Sequence, residues 1–216
     1  MSVEAKGTKP VGTNRKEYSP VGRVIRSFGI QIGIVAVALI VWLLFVIGSP
    51  RTFLSYPIYN AFMGATPYFA MVAIPLTLVV ITKEIDLSFP SIMAWGMAIY
   101  ALVMGITGVP MLAFIACLAA GAFAGWLNGA IVTKIGIPSL VATIGTQFFW
   151  RGVVLVMRNG NGQSLTSSKG SVVDTLLVGR LFDKIPAQFI WTIVIAIAVW
   201  FLLNRHRFGA HVYLTG

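Results

Sequence analysis

Charged residues are scarce in this chain, and their scarcity excludes an ordinary water-soluble domain. Asp, Glu, Lys and Arg together make up 10% of the 216 residues, whereas 57% of the residues are hydrophobic. A typical soluble domain has about a quarter of its residues charged. Much of this chain therefore meets a solvent other than water, and a lipid bilayer is the solvent that suits it.

Cysteine and phosphate-binding glycine motifs are also nearly absent. The single Cys117 cannot form a disulfide within the chain. No Gly-Lys dipeptide occurs anywhere, so the Gly-x-x-x-x-Gly-Lys loop that cradles nucleotide phosphates is missing. ATP hydrolysis coupled to this chain would have to come from a partner.

Long apolar segments, by contrast, recur along the whole sequence. A helix that crosses a bilayer needs about 20 mostly apolar residues. Segment 87–133 is too long for one helix and contains a Gly- and Pro-rich turn at 105–110. The sequence predicts an all-α, polytopic transmembrane bundle with about six spans, at 27–50, 52–82, the two halves of 87–133, 138–157 and 188–204.

The positive charges are grouped at the ends of the predicted spans. Six of the sixteen Lys and Arg residues lie within residues 1–27, and Arg205 and Arg207 follow the last span. This is the positive-inside distribution, which predicts a cytoplasmic N-terminus and disfavours nucleic-acid binding as the reason for the net charge of +10. Residues 1–27 are expected to form a disordered, basic cytoplasmic tail, and residues 28–216 the membrane domain.

Two features of the predicted spans each leave alternatives. Pro57, Pro67 and Pro75 in the second span fit either a broken, re-entrant helix or a tilted continuous one. In the fourth span, small residues recur at every fourth position and predict close helix packing, within the chain rather than in a dimer: Ala113, Cys117, Gly121, Gly125 and Gly129.

Two polar segments interrupt the apolar pattern. Residues 158–187 are predicted to form an extracytoplasmic loop, which either binds a soluble partner or only connects two spans. Lys83-Glu84-Ile85-Asp86 either forms a cytoplasmic loop or is drawn inward as part of a transport pathway. We expect Asp86 or Ser88 to cap the N-terminus of the third span by accepting amide hydrogen bonds.

Four motifs in order resemble one family of membrane proteins. Glu84-Ile85-Asp86-Leu87-Ser88 is similar to the Gly-Ile-Asp-Leu-Ser motif of the ribose/xylose-type ABC sugar permeases. The stretches 125–132, 137–146 and Arg151-Gly152 resemble later motifs of that family, and 207–213 does so less clearly. This chain has Glu84 in place of Gly, Phe89-Pro90 in place of Val-Gly, and Ala210 in place of Arg, so substrate specificity is expected to differ.

The resemblance implies a permease subunit without catalytic, cofactor-binding or metal-binding residues. Its implied partners are a cytoplasmic ABC ATPase, a periplasmic or lipid-anchored sugar-binding protein, a second permease subunit in a homo- or heterodimer, and membrane lipid, with no nucleic acid. The location is the bacterial inner membrane, and the chain would be the N-terminal part of a longer permease. The polar motif residues are expected to shape the substrate path or to hold broken helices together: Glu84, Asp86, Ser88, Asn128, Thr143 and Thr146.

Two other functional classes stay open at this point. One is a secondary transporter or channel that works without ATP, although ionisable residues within the spans are few. The other is an inactive permease fragment. The sequence does not specify which sugar or polyol a permease of this type would carry.

Overall fold

The structure, a computed structural model, describes residues 20–162 and 164–216, with side chains from residue 29 onward. Six helices in this part of the chain are long and apolar enough to cross a membrane. This confirms the all-α, polytopic bundle. The six are α1 (Pro20–Gly48), α3 (Tyr56–Ile81), α4 (Phe89–Thr107), α5 (Pro110–Ala130), α6 (Ser139–Arg158) and α8 (Ala187–Arg205).

Residues 20–55 belong to one compact unit, and Tyr56–Gly216 form another. In the first unit α1 is followed by the short helix α2 (Pro50–Phe53), with Pro50 at its first position, where a missing amide is tolerated. The Phe45 and Phe53 rings stack with centroids 4.9 Å apart. The first 19 residues of the predicted basic tail lie outside the described residues.

Helix α3 settles the alternatives for the second span. It runs without a break from Tyr56 to Ile81, with Pro67 and Pro75 inside it. Each proline removes a backbone donor and leaves the carbonyl four residues earlier without its helical partner. Pro67 is fully buried, so this interruption is covered by protein. The span is a continuous, proline-containing helix.

In the second unit α4 packs against α5 and α6, while α3 packs against α8. The predicted turn between the third and fourth spans lies at Gly108, whose φ of 65° closes α4. Gly96 of α4 faces Cys117 of α5 so closely that a Cβ at Gly96 would lie 3.2 Å from the sulfur. Small side chains thus bring α4 and α5 together.

The small-residue stripe on α5 is used within the described chain over only part of its length. Ala113 is completely buried, and Cys117 packs against α4. At Gly121, Gly125 and Gly129 an added Cβ would meet nothing within 4 Å. Packing within the chain therefore accounts for the first two positions of the stripe and leaves the last three open.

The end of α5 widens into a π-helix over Ile131–Ile135, which ends at Gly136 with a φ of 82°. Backbone hydrogen bonds in a π-helix join residues five apart instead of four, so each hydrogen-bonded turn contains one more residue than in an α-helix. Lys134 lies in this wide turn. The chain then enters α6 through Ile137 and Pro138, and the extended ψ of 135° at Pro138 sets the start of that helix.

The segment between α6 and α8 has more regular structure than a simple loop. It contains a 3₁₀ turn at Thr166–Ser168, the helix α7 (Val172–Leu177) and a two-stranded hairpin of β1 (Arg180–Leu181) and β2 (Ile185–Pro186). The Tyr100 hydroxyl of α4 donates a buried hydrogen bond of 3.0 Å to Ser168. This bond fixes the segment to the helix bundle.

The hairpin continues directly into α8, and α9 (Arg207–Thr215) follows α8. The Ala187 amide donates to the Gly179 carbonyl at 2.8 Å, and the Trp191 indole donates to the Leu176 carbonyl at 2.9 Å. At the other end His206 caps α9 by accepting from the Phe208 amide. The starts of α8 and of α9 are thus held by local hydrogen bonds.

Candidate functional site

The candidate site lies in the linker between α3 and α4, which carries the first of the family-like motifs. Residues 84–88 have no regular secondary structure. The backbone of Ile85 is held by α6, because its amide donates to the Ser139 hydroxyl at 3.1 Å. The Thr143 hydroxyl lies 2.8 Å from the Ser139 carbonyl and 3.3 Å from the Ile85 carbonyl. The first turns of α6 therefore hold the linker in place.

Asp86, Ser88 and Asn128 form a chain of short hydrogen bonds beside this contact. The Asp86 Oδ1 atom accepts from the Ser88 amide at 2.8 Å and from the Ser88 hydroxyl at 2.6 Å. The Ser88 oxygen in turn accepts from the Asn128 side-chain amide at 2.6 Å. One serine hydroxyl thus connects the linker to α5, and we call this chain the Asp86–Ser88–Asn128 junction.

The junction is shielded from solvent, which raises the cost of breaking it. Ser88 is completely buried, and Asn128 is 5% exposed. A buried polar group that loses its partner costs about 1–3 kcal/mol. The Oδ1 atom of Asn128 is buried and has no hydrogen-bond partner. Asn128 is therefore joined to the junction by the single bond from its side-chain amide to Ser88.

The capping prediction for the third span was wrong for Ser88. Ser88 is the N-cap residue of α4, but its side chain accepts no amide hydrogen bond from the helix. Its hydroxyl donates to Asp86 instead. Asp86 does accept a backbone amide, but it is the amide of Ser88, which precedes the first helical residue. Tertiary bonding to α5 replaces the local cap.

The other predicted site residues lie near the junction without belonging to it. Thr143 reaches the linker through the Ile85 carbonyl. Thr146 lies one turn further along α6, where its hydroxyl donates to the Thr143 carbonyl at 3.3 Å. Glu84 is half-buried, and its backbone amide bonds to the Val79 carbonyl at the end of α3. The structure thus brings Asp86, Ser88 and Asn128 together, with Thr143 beside them.

Ser139 and the aromatic pair of α4 and α6 were not predicted from the sequence. Ser139 is the first residue of α6, directly after Pro138. A serine at the start of a predicted helix is the sequence feature that could have pointed to it. The Trp95 and Trp150 rings stack with centroids 4.8 Å apart, and both indole nitrogens are buried without a partner. These two tryptophans pack α4 against α6 beyond Thr146.

The polar groups of the site hold parts of the fold together. These groups are hydroxyls, an amide and one carboxylate that bond to one another, and in the described part of the chain no group of three His, Cys, Asp or Glu residues is close enough to hold a metal ion. What the geometry provides is a buried meeting point of three elements: the α3–α4 linker, α5 and the start of α6.

Six long apolar helices, with polar residues buried where the α3–α4 linker, α5 and α6 meet, define a polytopic α-helical membrane protein. A family model described as the branched-chain amino acid transport system / permease component matches residues 58–216. The chain belongs to this permease family. The matched range begins in α3 and includes the whole Asp86–Ser88–Asn128 junction.

The chain is also similar to individual permeases. It is 30% identical over 170 residues to the ribose import permease protein of Escherichia coli K12, covering 78% of this chain and 52% of the relative. It is 29% identical over 196 residues to the autoinducer 2 import system permease protein of Photorhabdus laumondii, covering 88% and 57%. To the same permease of Enterobacter sp. strain 638 it is 34% identical over 150 residues, covering 68% and 45%.

These relatives confirm the resemblance to ribose-type ABC sugar permeases. The chain spans about half the length of the curated relatives it matches. No solved structure matches it.

Proposed function

We propose that this chain provides part of the membrane path of an ATP-binding-cassette importer for a monosaccharide or a related small polyol. The observation that carries the proposal is the family membership over residues 58–216. The names of the relatives point to ribose and to autoinducer 2 as the kind of cargo, both small polar molecules. The chain itself is a transport subunit and not an enzyme.

The proposal includes the partners and the location. ATP hydrolysis takes place on a separate cytoplasmic ATPase, and a periplasmic or lipid-anchored sugar-binding protein delivers the substrate. A second permease subunit completes the path, and the assembly lies in the bacterial inner membrane with the N-terminus of this chain in the cytoplasm. The basic residues Arg205, at the end of α8, and Arg207, at the start of α9, support this orientation.

A secondary transporter or channel fits the described spans less well. Such a protein moves ions or protons through ionisable groups within the membrane. The sequences of α3, α4 and α5 contain no Asp, Glu, Lys or Arg, and Arg151 is the one such residue of α6 away from its ends. Spans with so few ionisable groups suit a transporter that is driven by ATP hydrolysis on a partner subunit.

The role of the junction in transport is tested with two substitutions at one position. Asp86→Asn keeps an oxygen that accepts from Ser88 but removes the negative charge, whereas Asp86→Ala removes both. Uptake of labelled ribose and the amount of protein in the membrane are measured for each variant. We expect Asp86→Asn to keep normal membrane abundance, because an oxygen that accepts from Ser88 remains, and to reduce uptake, because we assign the lost charge to the substrate path.

Full uptake by Asp86→Asn together with loss of the Asp86→Ala protein from the membrane would limit Asp86 to holding the fold.

Co-purification with an ATPase subunit is the independent test of the transporter class. A secondary transporter or an inactive fragment would not retain an ATPase, whereas an importer subunit requires one.

A further inference from the structure

The tip of the hairpin before α8 presents an exposed phenylalanine in a strained backbone conformation. Phe182 is 83% exposed. Phe182 and Asp183 have φ values of 51° and 58°, which place both central residues of the turn in the left-handed region. Hairpin turns of this kind favour Gly, Asn or Asp, and a phenylalanine there is unusual. An apolar ring held in such a place suggests a contact outside the described chain.

The turn is fixed to the outer end of α3. The Tyr56 hydroxyl donates to the Lys184 carbonyl. The Arg180 guanidinium donates to the Asn60 side-chain oxygen at 3.0 Å. These bonds join the two sides of the hairpin to the first turns of α3. The position of Phe182 is therefore determined by the bundle.

The length of α8 sets the depth of the turn in the membrane. Its 19 residues span about 28 Å, close to the roughly 30 Å of a bilayer's hydrocarbon core. Since Arg205 and Arg207 mark the water-facing end, Ala187 lies at the opposite boundary. Phe182 lies two residues beyond Arg180, which pairs with Pro186. At about 3.3 Å per residue, the tip of the hairpin is at most about 7 Å from the level of Pro186. That distance is comparable to the thickness of one headgroup layer.

The side chains around this level suit the boundary between lipid and water. Tyr56 and Tyr59 lie in the first turn of α3, and Trp191 lies near the start of α8. Tyrosine and tryptophan are enriched at the level of the headgroups. Lys184 at the turn offers a cation for lipid phosphate, while Asp183 beside it faces water more favourably than lipid.

We propose that the hairpin of residues 180–186 is an interfacial anchor, in which the Phe182 ring inserts into the lipid leaflet opposite the Arg205 end of α8. The occupant of the exposed apolar surface is the bilayer that the chain itself spans. The anchor needs only the membrane placement of α8 and is independent of what the protein transports.

Spin labels test the depth of the turn directly. In a Cys117→Ala background, single cysteines are introduced as Phe182→Cys, as Ile197→Cys at mid-span in α8, and as Ser167→Cys at an exposed polar position of the α6–α8 segment. The full chain is labelled with a nitroxide and placed in phosphatidylcholine vesicles. Collision rates with oxygen, which concentrates in lipid, and with a water-soluble nickel chelate are then compared.

We expect the oxygen-to-nickel ratio at Phe182→Cys to be several-fold higher than at Ser167→Cys and lower than at Ile197→Cys. A ratio equal to that at Ser167→Cys would place the turn in water and overturn the anchor. An immobilised label shielded from both reagents would show that protein, either a second copy or another partner, covers the site instead of lipid.

A second measurement uses the unsubstituted chain, so that it does not depend on the folding of a cysteine variant. Vesicles contain a phospholipid with a diazirine near the glycerol backbone, and the chain is irradiated and then digested with trypsin. Cleavage after Arg180 and Lys184 releases the turn as residues 181–184. Attached lipid on this peptide supports the anchor, and labelling confined to peptides from the spans contradicts it.

Discussion

Ser88 and Asn128 are joined by a buried hydrogen bond of 2.6 Å, although 40 residues separate them in the sequence. The bond connects the start of α4 to α5 at a place where Ser88 also bonds to Asp86. Ser88 thus donates one hydrogen bond and accepts another. A hydroxyl at this position has two structural tasks that an apolar side chain cannot perform.

Replacing Ser88 with alanine should destabilise the protein by about 1–3 kcal/mol. The change leaves the Asn128 amide buried without an acceptor, and a buried polar group without a partner costs that amount. Thermal unfolding of the purified protein in detergent measures the effect. Ser167→Ala, at an exposed position, is the matched control, and equal stability of the two variants would contradict the role given to Ser88.

A double-mutant cycle isolates the bond between the two residues. We expect Ser88→Ala and Asn128→Ala together to be less destabilising than the sum of the single changes, by about 0.5–2 kcal/mol. The reason is that the second change removes a group already left without its partner. Unfolding free energies of the four proteins give the coupling. Strict additivity would mean that the bond contributes no net stability.

The close approach of α4 and α5 predicts different responses at two glycines. An alanine at Gly96 would place a Cβ 3.2 Å from the Cys117 sulfur and 3.5 Å from its carbonyl, whereas one at Gly121 meets nothing within 4 Å. We expect Gly96→Ala to be less stable than Gly121→Ala by about 1–3 kcal/mol in thermal unfolding, because of overpacking. In a Cys117→Ala background this difference should shrink.

Loss of the hydrogen bond between Tyr56 and the hairpin should have a local effect. Tyr56→Phe removes the hydroxyl that donates to the Lys184 carbonyl and keeps the ring. Hydrogen exchange followed by mass spectrometry should show faster exchange in residues 180–186, with exchange in α4 and α5 unchanged. Tyr213→Phe, at an exposed position on α9, is the control. Unchanged exchange in the hairpin would show that Arg180 and Asn60 hold it alone.

The spans were predictable from sequence because their signal is local. Long apolar segments and the glycine at position 108 located the helices and the turn between α4 and α5. Whether α3 continues through Pro67 and Pro75 was not predictable, since the same prolines are compatible with a broken helix. In the fold Pro67 is fully buried and Pro75 is exposed, and neither environment can be read from the local sequence.

The candidate site was predictable as a set of residues but not as a geometry. Motif resemblance singled out Asp86, Ser88 and Asn128. Which of them touch depends on the rotation of α5 about its axis, which no short motif specifies. The hairpin at 180–186 was missed because strands of two residues have no periodicity, and Phe182-Asp183 lacks the glycine or asparagine typical of its turn.

The π-helix at Ile131–Ile135 has a consequence for insertions and deletions. Because this turn contains an extra residue, loss of one residue within it can be absorbed by a return to regular α-helix. Loss of one residue earlier in α5 cannot be absorbed in this way before the chain reaches Asn128. It would turn Asn128 by about 100° relative to the preceding half of the helix and carry its amide away from Ser88. Natural length variation among related chains should therefore fall after Asn128 rather than before it.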